Sequence, residues 1–258
     1  MSLSLSSIQT GKQLDRPVKI LLYSPEGCGK STFCAGCPDP IMILTEDGAS
    51  AIDVPKFPVA NKFDEIIDAI GVLFSEEHNF KTVCLDSLTW CEVLAGKQIC
   101  LENDISSIAA IPYGKGYADV TSKVVEILAG LDALFQHKKM NVVITAHSEV
   151  IEHQDPQLPD SYNRYTLRLD KRLRGRAIEW PDIVAFANFQ TLLQDKGSGF
   201  KQSKHGVDFG KRSMYLVRSA GFDAKNRYGL PKEIPFDAAV FWKTYNETIN
   251  PTTQLEEN

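Results

Sequence analysis

Cysteine is scarce in this chain, with six residues in 258. That is too few for the disulfide framework that staples small secreted domains, and no signal-like segment precedes them. Cys34 and Cys37 form a C-x-x-C, but the other four supply no matching pair at zinc-ligand spacing, so a structural zinc site is not expected. No apolar run approaches the roughly 20 residues that span a bilayer, which excludes a membrane partner of that kind. Positive charge is not in excess either. The formal net charge is −5, so an affinity for nucleic acid has to rest on local basic segments. Internal repeats and low-complexity blocks are missing. A reduced, cytoplasmic protein is the expectation.

What is there is ordinary for a globular chain, 43% hydrophobic and 24% charged. Polar residues dominate 1–16 and 246–258, which read as N- and C-terminal tails around one domain, 17–245. Within it, short apolar runs alternate with helix-period segments, the pattern of a mostly parallel sheet covered on both faces. The strand candidates are 18–23 (VKILLY), 41–44 (IMIL), 81–86 (KTVCLD) and 141–146 (NVVITA). Phe63, Ile66, Ile67, Ile70, Leu73 and Phe74 recur at helical spacing, as do Val120, Val124, Ile127, Leu128, Leu131, Leu134 and Phe135. Both stripes are expected to pack on the sheet. Beyond about residue 165 the rhythm changes. Runs 182–193 (DIVAFANFQTLL) and 213–219 (SMYLVRS) flank a Gly-, Lys- and Ser-rich stretch, as two antiparallel strands of a long hairpin would.

Directly after the first strand candidate stands SPEGCGKST, from Ser24 through Pro25, Glu26, Gly27, Cys28, Gly29, Lys30 and Ser31 to Thr32. A strand, a Gly-rich turn and Lys-Ser/Thr opening a helix form a phosphate cradle, because backbone N–H groups converge there on an anion. Gly27 and Gly29 permit positive φ and close backbone approach. Lys30 suits the β- and γ-phosphates, Ser31 the Mg²⁺ ion, and Thr32 the α-phosphate. Ser24 replaces the usual opening glycine. That position serves the turn leaving the strand, where a small serine is tolerable and Pro25 adds stiffness.

KTVCLD ends in Asp86, an apolar strand delivering a carboxylate to the edge where ligands gather in open α/β sheets. There Asp86 can hold Mg²⁺ through water; as the alternative, it caps the helix that begins near Trp90. Glu46, and Asp47 after it, follow IMIL to the same edge. Glu46 is the candidate that activates the attacking water, and a turn carboxylate is the competing account. His147 ends VVITAH, where it either senses the γ-phosphate or is a satisfied structural residue.

YSPEGCGKST, ILTEDG, VCLDSLTW, IPYGKGYADV, VVITAHSEV and AKNRYGLP together resemble phage-encoded P-loop ATPases of the AAA/RecA-like kind. More closely, they are similar to the single-domain, RecA-core recombination proteins that phages carry beside single-strand annealing functions. The resemblance covers approximately residues 17–240. It implies a RecA-like core that binds ATP and Mg²⁺, associates with single-stranded DNA and acts in the host cytoplasm. It also implies a single-stranded-DNA-binding protein and further copies of the chain, in a ring or filament, as partners. Lys30, Ser31 and Thr32 take the Walker-A role, Asp86 the Walker-B role, and Glu46 that of water activator.

Three segments suit a DNA partner. Tyr113, Lys115 and Tyr117 in IPYGKGY combine aromatics, glycines and a cation, as a loop that stacks on bases does; a helix-entry turn is the alternative. Residues 164–176 carry six Arg/Lys against one Asp, including Arg164, Arg168, Lys171, Arg172 and Arg174. A solvated helix face is the alternative there. The hairpin tip 195–212 adds cations such as Lys201 and Lys204 that suit a nucleic-acid backbone, and a merely solvated hairpin is the alternative. Arg218, Lys225 and Arg227 are candidate fingers for a neighbouring subunit's ATP site, where charge builds on the γ-phosphoryl oxygens, against ordinary salt bridging within the fold. Two rival functions remain open at this point: a small-substrate P-loop phosphotransferase, and a nucleotide-binding interaction module with negligible turnover.

Overall fold

The computed structural model describes residues 16–196 and 203–251. Five strands make a parallel core: β1 (Lys19–Ser24), β2 (Pro40–Leu44), β3 (Thr82–Asp86), β4 (Asn141–His153) and β6 (Ile183–Lys196), in the order β2-β3-β4-β1-β6. Interior parallel strands are covered on both faces and therefore read as unbroken apolar runs. The alternation is visible within β1. Leu21 and Tyr23 face one core cluster, whereas Ile20 and Leu22 face the other.

The first cluster is covered by α2 (Phe63–Ser75), α3 (Leu88–Glu102), α4 (Lys115–His137) and α5 (Lys171–Glu179). The second is covered by α1 (Lys30–Ala35) and α6 (Ala238–Ile249). Val124, Ile127, Leu131 and Leu134 of α4 are all fully buried. Each such side chain contributes about 1.5–3 kcal/mol by leaving water, so this one stripe anchors the longest helix. Phe33 of α1 stacks on Phe236 and meets Phe241 of α6 edge-on, which ties the short helix after the phosphate loop to the C-terminal helix.

The expected fold is found: a mostly parallel sheet, helices on both faces, and an antiparallel hairpin toward the C-terminus. It is also extended in two places. β4 does not stop near residue 146 but runs on to His153 and pairs antiparallel with β5 (Tyr162–Leu167). The basic segment 164–176 is consequently split between the end of β5 and α5. α6 reaches Ile249, past the expected start of a tail, because Phe241, Trp242 and Tyr245 bury one of its faces.

β6 pairs with β1 only as far as Phe186, opposite Tyr23. Beyond that point it pairs with β7 (Ser203–Tyr215), with a register shift between Phe189 and Thr191. The two strands form an arm projecting past the carboxyl edge of the sheet, beside the loop that follows Ser24. β8 (Lys225–Asn226) and β9 (Glu233–Pro235) add short antiparallel pairings to β6 and β7.

Candidate nucleotide-binding site

β1 ends at fully buried Ser24, and the chain turns through Pro25–Gly29 into α1. Gly27 has φ 72° and Gly29 φ 105°, the left-handed region where a side chain would be strained. The turn carries Lys30 back under its own backbone. Lys30 is 7% exposed, and its ammonium group donates to the Ser24 carbonyl at 3.4 Å, the Ser24 hydroxyl at 3.3 Å and the Pro25 carbonyl at 3.3 Å. All three bonds are longer than a normal N–H···O bond, so the charge is underserved by its surroundings. Burial pushes the Lys30 pKa down, and Asp86 and Glu46 oppose that push. Such a group is suited to a phosphate oxygen.

Opposite Lys30, three strand ends converge. Asp86, 2% exposed, accepts from Ser31 Oγ at 2.6 Å and from Thr145 Oγ1 at 2.5 Å. The hydroxyl of Ser31 and the carboxylate of Asp86 are hard oxygen donors of the kind Mg²⁺ takes, so the pair fits that ion, with Asp86 acting through water. The Asp86–Ser87 peptide bond is cis. Glu46, just beyond β2, accepts from Ser87 Oγ at 2.7 Å and lies 2.9 Å from His147 Nε2. Burial raises the Glu46 pKa, but the bonds from His147 and Ser87 and the Lys30 charge outweigh it and hold the carboxyl below its ordinary value. Asp47 next to it is exposed and outside this arrangement.

His147 sits between two carboxylates. Its Nδ1 is 3.4 Å from Glu26 Oε1, and Glu26 in turn accepts from Arg168 at 2.8 Å. A line of contacts therefore runs from Ser87 through Glu46, His147 and Glu26 to Arg168. Glu26, Gly27, Gly29, Lys30, Ser31, Thr32, Glu46, Asp86 and His147 line a common cleft of about 320 Å³. Cys28 is buried beneath it, where loss of solvent raises its thiol pKa. A larger groove, about 430 Å³, lies over β2 and α2 among Phe57, Val59 and Val72, and brings together no comparable chemistry.

The candidate DNA residues separate. Tyr113 is 97% exposed at a positive φ of 59°, and Lys115 and Tyr117 are exposed at the start of α4. Arg172 at the start of α5 lies 5.9 Å from the Tyr117 ring, with Lys171 exposed beside it. Two segments far apart in sequence thus make one basic-aromatic face. Arg174 donates to Glu149 at 2.5 Å and to the Leu169 carbonyl, and Arg168 is drawn to Glu26. Arg164 departs from expectation. It is 6% exposed and donates to Asp223 at 2.6 Å, so its charge is spent inside the fold and does not face outward. Lys204 lies in β7 opposite Asp195, and Lys201 lies outside the described residues.

The candidate fingers lie at the other edge of the sheet, where Lys225 pairs with Val184 at the start of β6. Lys225 donates to the Ile178 and Glu179 carbonyls that end α5, and Arg227 pairs with Asp182 at 3.2 Å. Both take the in-fold alternative; Arg218 is exposed. Missed altogether were Thr145, Ser87 and Arg212, whose roles depend on contacts across 41 to 184 residues of chain. Only the polar ends of VVITAH and VCLDS hinted at the first two.

Residues 16–228 match the profile of a family described as an AAA domain. No curated protein matches the chain.

Proposed function

The chain belongs to this AAA domain family, and from that premise we propose that it hydrolyses ATP, binds single-stranded DNA and supports phage homologous recombination by single-strand annealing. The observation that carries the ATPase part is the convergence of Lys30, Ser31, Asp86 and Glu46 on one cleft. Lys30 takes β- and γ-phosphate oxygens in place of its long bonds to Ser24 and Pro25. Ser31 and Asp86 hold Mg²⁺, which supplies charge neutralisation on the phosphates when bound. Glu46, kept ionised by its neighbours, orients a water molecule and accepts its proton. His147 holds Glu46 in place and carries a second contact to Glu26.

The DNA part is supported by the face formed by Tyr113, Tyr117, Lys171 and Arg172, which offers rings for base stacking beside cations for phosphates. The Arg168–Glu26 pair links the basic segment to the phosphate loop, so a DNA phosphate competing for Arg168 changes what Glu26 and His147 meet. Homo-oligomers and a single-stranded-DNA-binding protein complete the proposal, on the strength of the family resemblance. Phosphate release measured with and without single-stranded DNA at low salt tests it. Stimulation by DNA is the expected result. A flat response sinks the DNA role, and tight nucleotide binding without any phosphate release sinks the ATPase role.

A further inference from the structure

Arg212 stands at the base of the β6–β7 arm, opposite Phe189 and just before the register shift. Its Nη1 donates to the Cys28 carbonyl at 2.7 Å, and its guanidinium centre lies 5.7 Å from the Phe236 ring. The contact with the loop is close. A Cβ placed on Gly29 would come within 2.4 Å of that same Nη1, so glycine at φ 105° leaves the room the guanidinium occupies.

The carbonyl of residue 28 and the N–H of residue 29 belong to one planar trans peptide and point in opposite directions. Drawing the Cys28 carbonyl toward the arm therefore turns the Gly29 N–H away from the arm, and Gly29 is among the residues that line the cleft. A charged donor on the carbonyl also polarises the peptide and makes its N–H a stronger donor. We propose that Arg212 is a positioning residue for the nucleotide, fixing the Cys28–Gly29 peptide so that its N–H faces a phosphate. The arm is thereby coupled to the loop, because a shift of β7 at its irregular base moves the guanidinium. This role presupposes the nucleotide site proposed above.

The test is titration of ADP and of a non-hydrolysable ATP analogue into the full chain, with steady-state ATPase kinetics in parallel. Arg212→Ala is expected to weaken both nucleotides roughly tenfold, the effect of losing one charge-assisted bond. KM rises correspondingly while kcat stays within about twofold, since the peptide contact is made equally before and during reaction. Arg212→Lys keeps a charged donor and is expected to fall between the two. Thermal melting without nucleotide should fall by no more than about 2–4 °C, the effect of one bond made by an exposed residue. An alanine variant within about twofold of the parent in affinity, or one that loses kcat with KM intact, overturns the role by the same kinetic logic. Lys30→Ala is the control. If it too leaves affinity unchanged, the nucleotide site itself is wrong; if it abolishes binding and Arg212→Ala does not, only Arg212 is misassigned.

Discussion

The cleft at the end of β1 and the face made by the starts of α4 and α5 are both polar, yet they are built in opposite ways. In the cleft, Asp86, Lys30 and His147 are buried, and each is held by groups from other strand ends. On the face, Tyr113, Lys115, Lys171 and Arg172 are exposed, and the ordering contacts are few. Burial with fixed partners gives a site whose geometry precedes its ligand, where each group has a separate chemical task. Exposure gives a surface whose affinity is a sum of screened charges and stacking, with no single indispensable member.

If that contrast holds, the largest single effect belongs to Glu46. Glu46→Gln keeps the shape and the bond from Ser87 but cannot accept a proton. Turnover is expected to fall by about 10²–10⁴ while nucleotide affinity stays close to the parent's. The pH profile carries a second sign of the same group. Its pKa is depressed, so activity is present above the ordinary glutamate value of about 4.3 and is lost only as pH falls below it. An acid limb above that value would show that the carboxyl is not held as its contacts indicate. Next comes Lys30→Ala, which should cost roughly 10²–10³ in ATP affinity through lost charge-assisted bonds to phosphate. DNA binding measured without nucleotide should survive it, and a parallel loss there would break the separation of the two regions.

How much of each region was legible in the sequence follows from the same contrast. The core strands announced themselves because strands buried on both faces must be apolar throughout, and the phosphate loop because its geometry is made by neighbours in sequence. Asp86 and Glu46 were legible as carboxylates ending apolar runs. α3 was harder, since its apolar residues are scattered around the helix rather than gathered in a stripe. β5 was hidden because β4 keeps its strand conformation after leaving the apolar core, where its pattern becomes polar. Long-range pairs left no trace at all. Nothing near Arg164 in sequence indicates Asp223, and nothing near Arg212 indicates the carbonyl of Cys28.

Arg164 offers the sharpest internal control, since it lies in the basic segment but is built like the cleft. Removing one member of a buried pair strands the other, so Arg164→Ala should destabilise the fold by about 3 kcal/mol, the low end for such pairs because Asp223 keeps some exposure. Melting is the measurement. DNA affinity, compared below the melting range, should not change, and a salt-dependent loss would return Arg164 to the face. Tyr113→Ala should behave in reverse. Stability stays level, while affinity for single-stranded DNA falls by about 1–3 kcal/mol if the ring stacks on a base. Lys171→Ala is expected to do less and to lose its effect as salt rises.

The smallest effect is expected at the loop's oddest residue. Ser24 occupies the position of a turn, but its hydroxyl lies 3.3 Å from Lys30 Nζ and donates to the Pro25 carbonyl at 2.9 Å. Ser24→Gly removes one of three long, weak acceptors and leaves two backbone carbonyls in place. The ammonium group loses little in the free protein and nothing in its bond to a phosphate, so ATP affinity should stay within about threefold, well under one full hydrogen bond. The cost appears in stability instead, at about 0.5–1 kcal/mol, because glycine at the buried end of a central strand gives up more chain entropy on folding. A drop in affinity of tenfold or more would mean that the hydroxyl positions Lys30 for the phosphate. The cleft would then depend on its side-chain partners even where backbone groups are at hand to replace them.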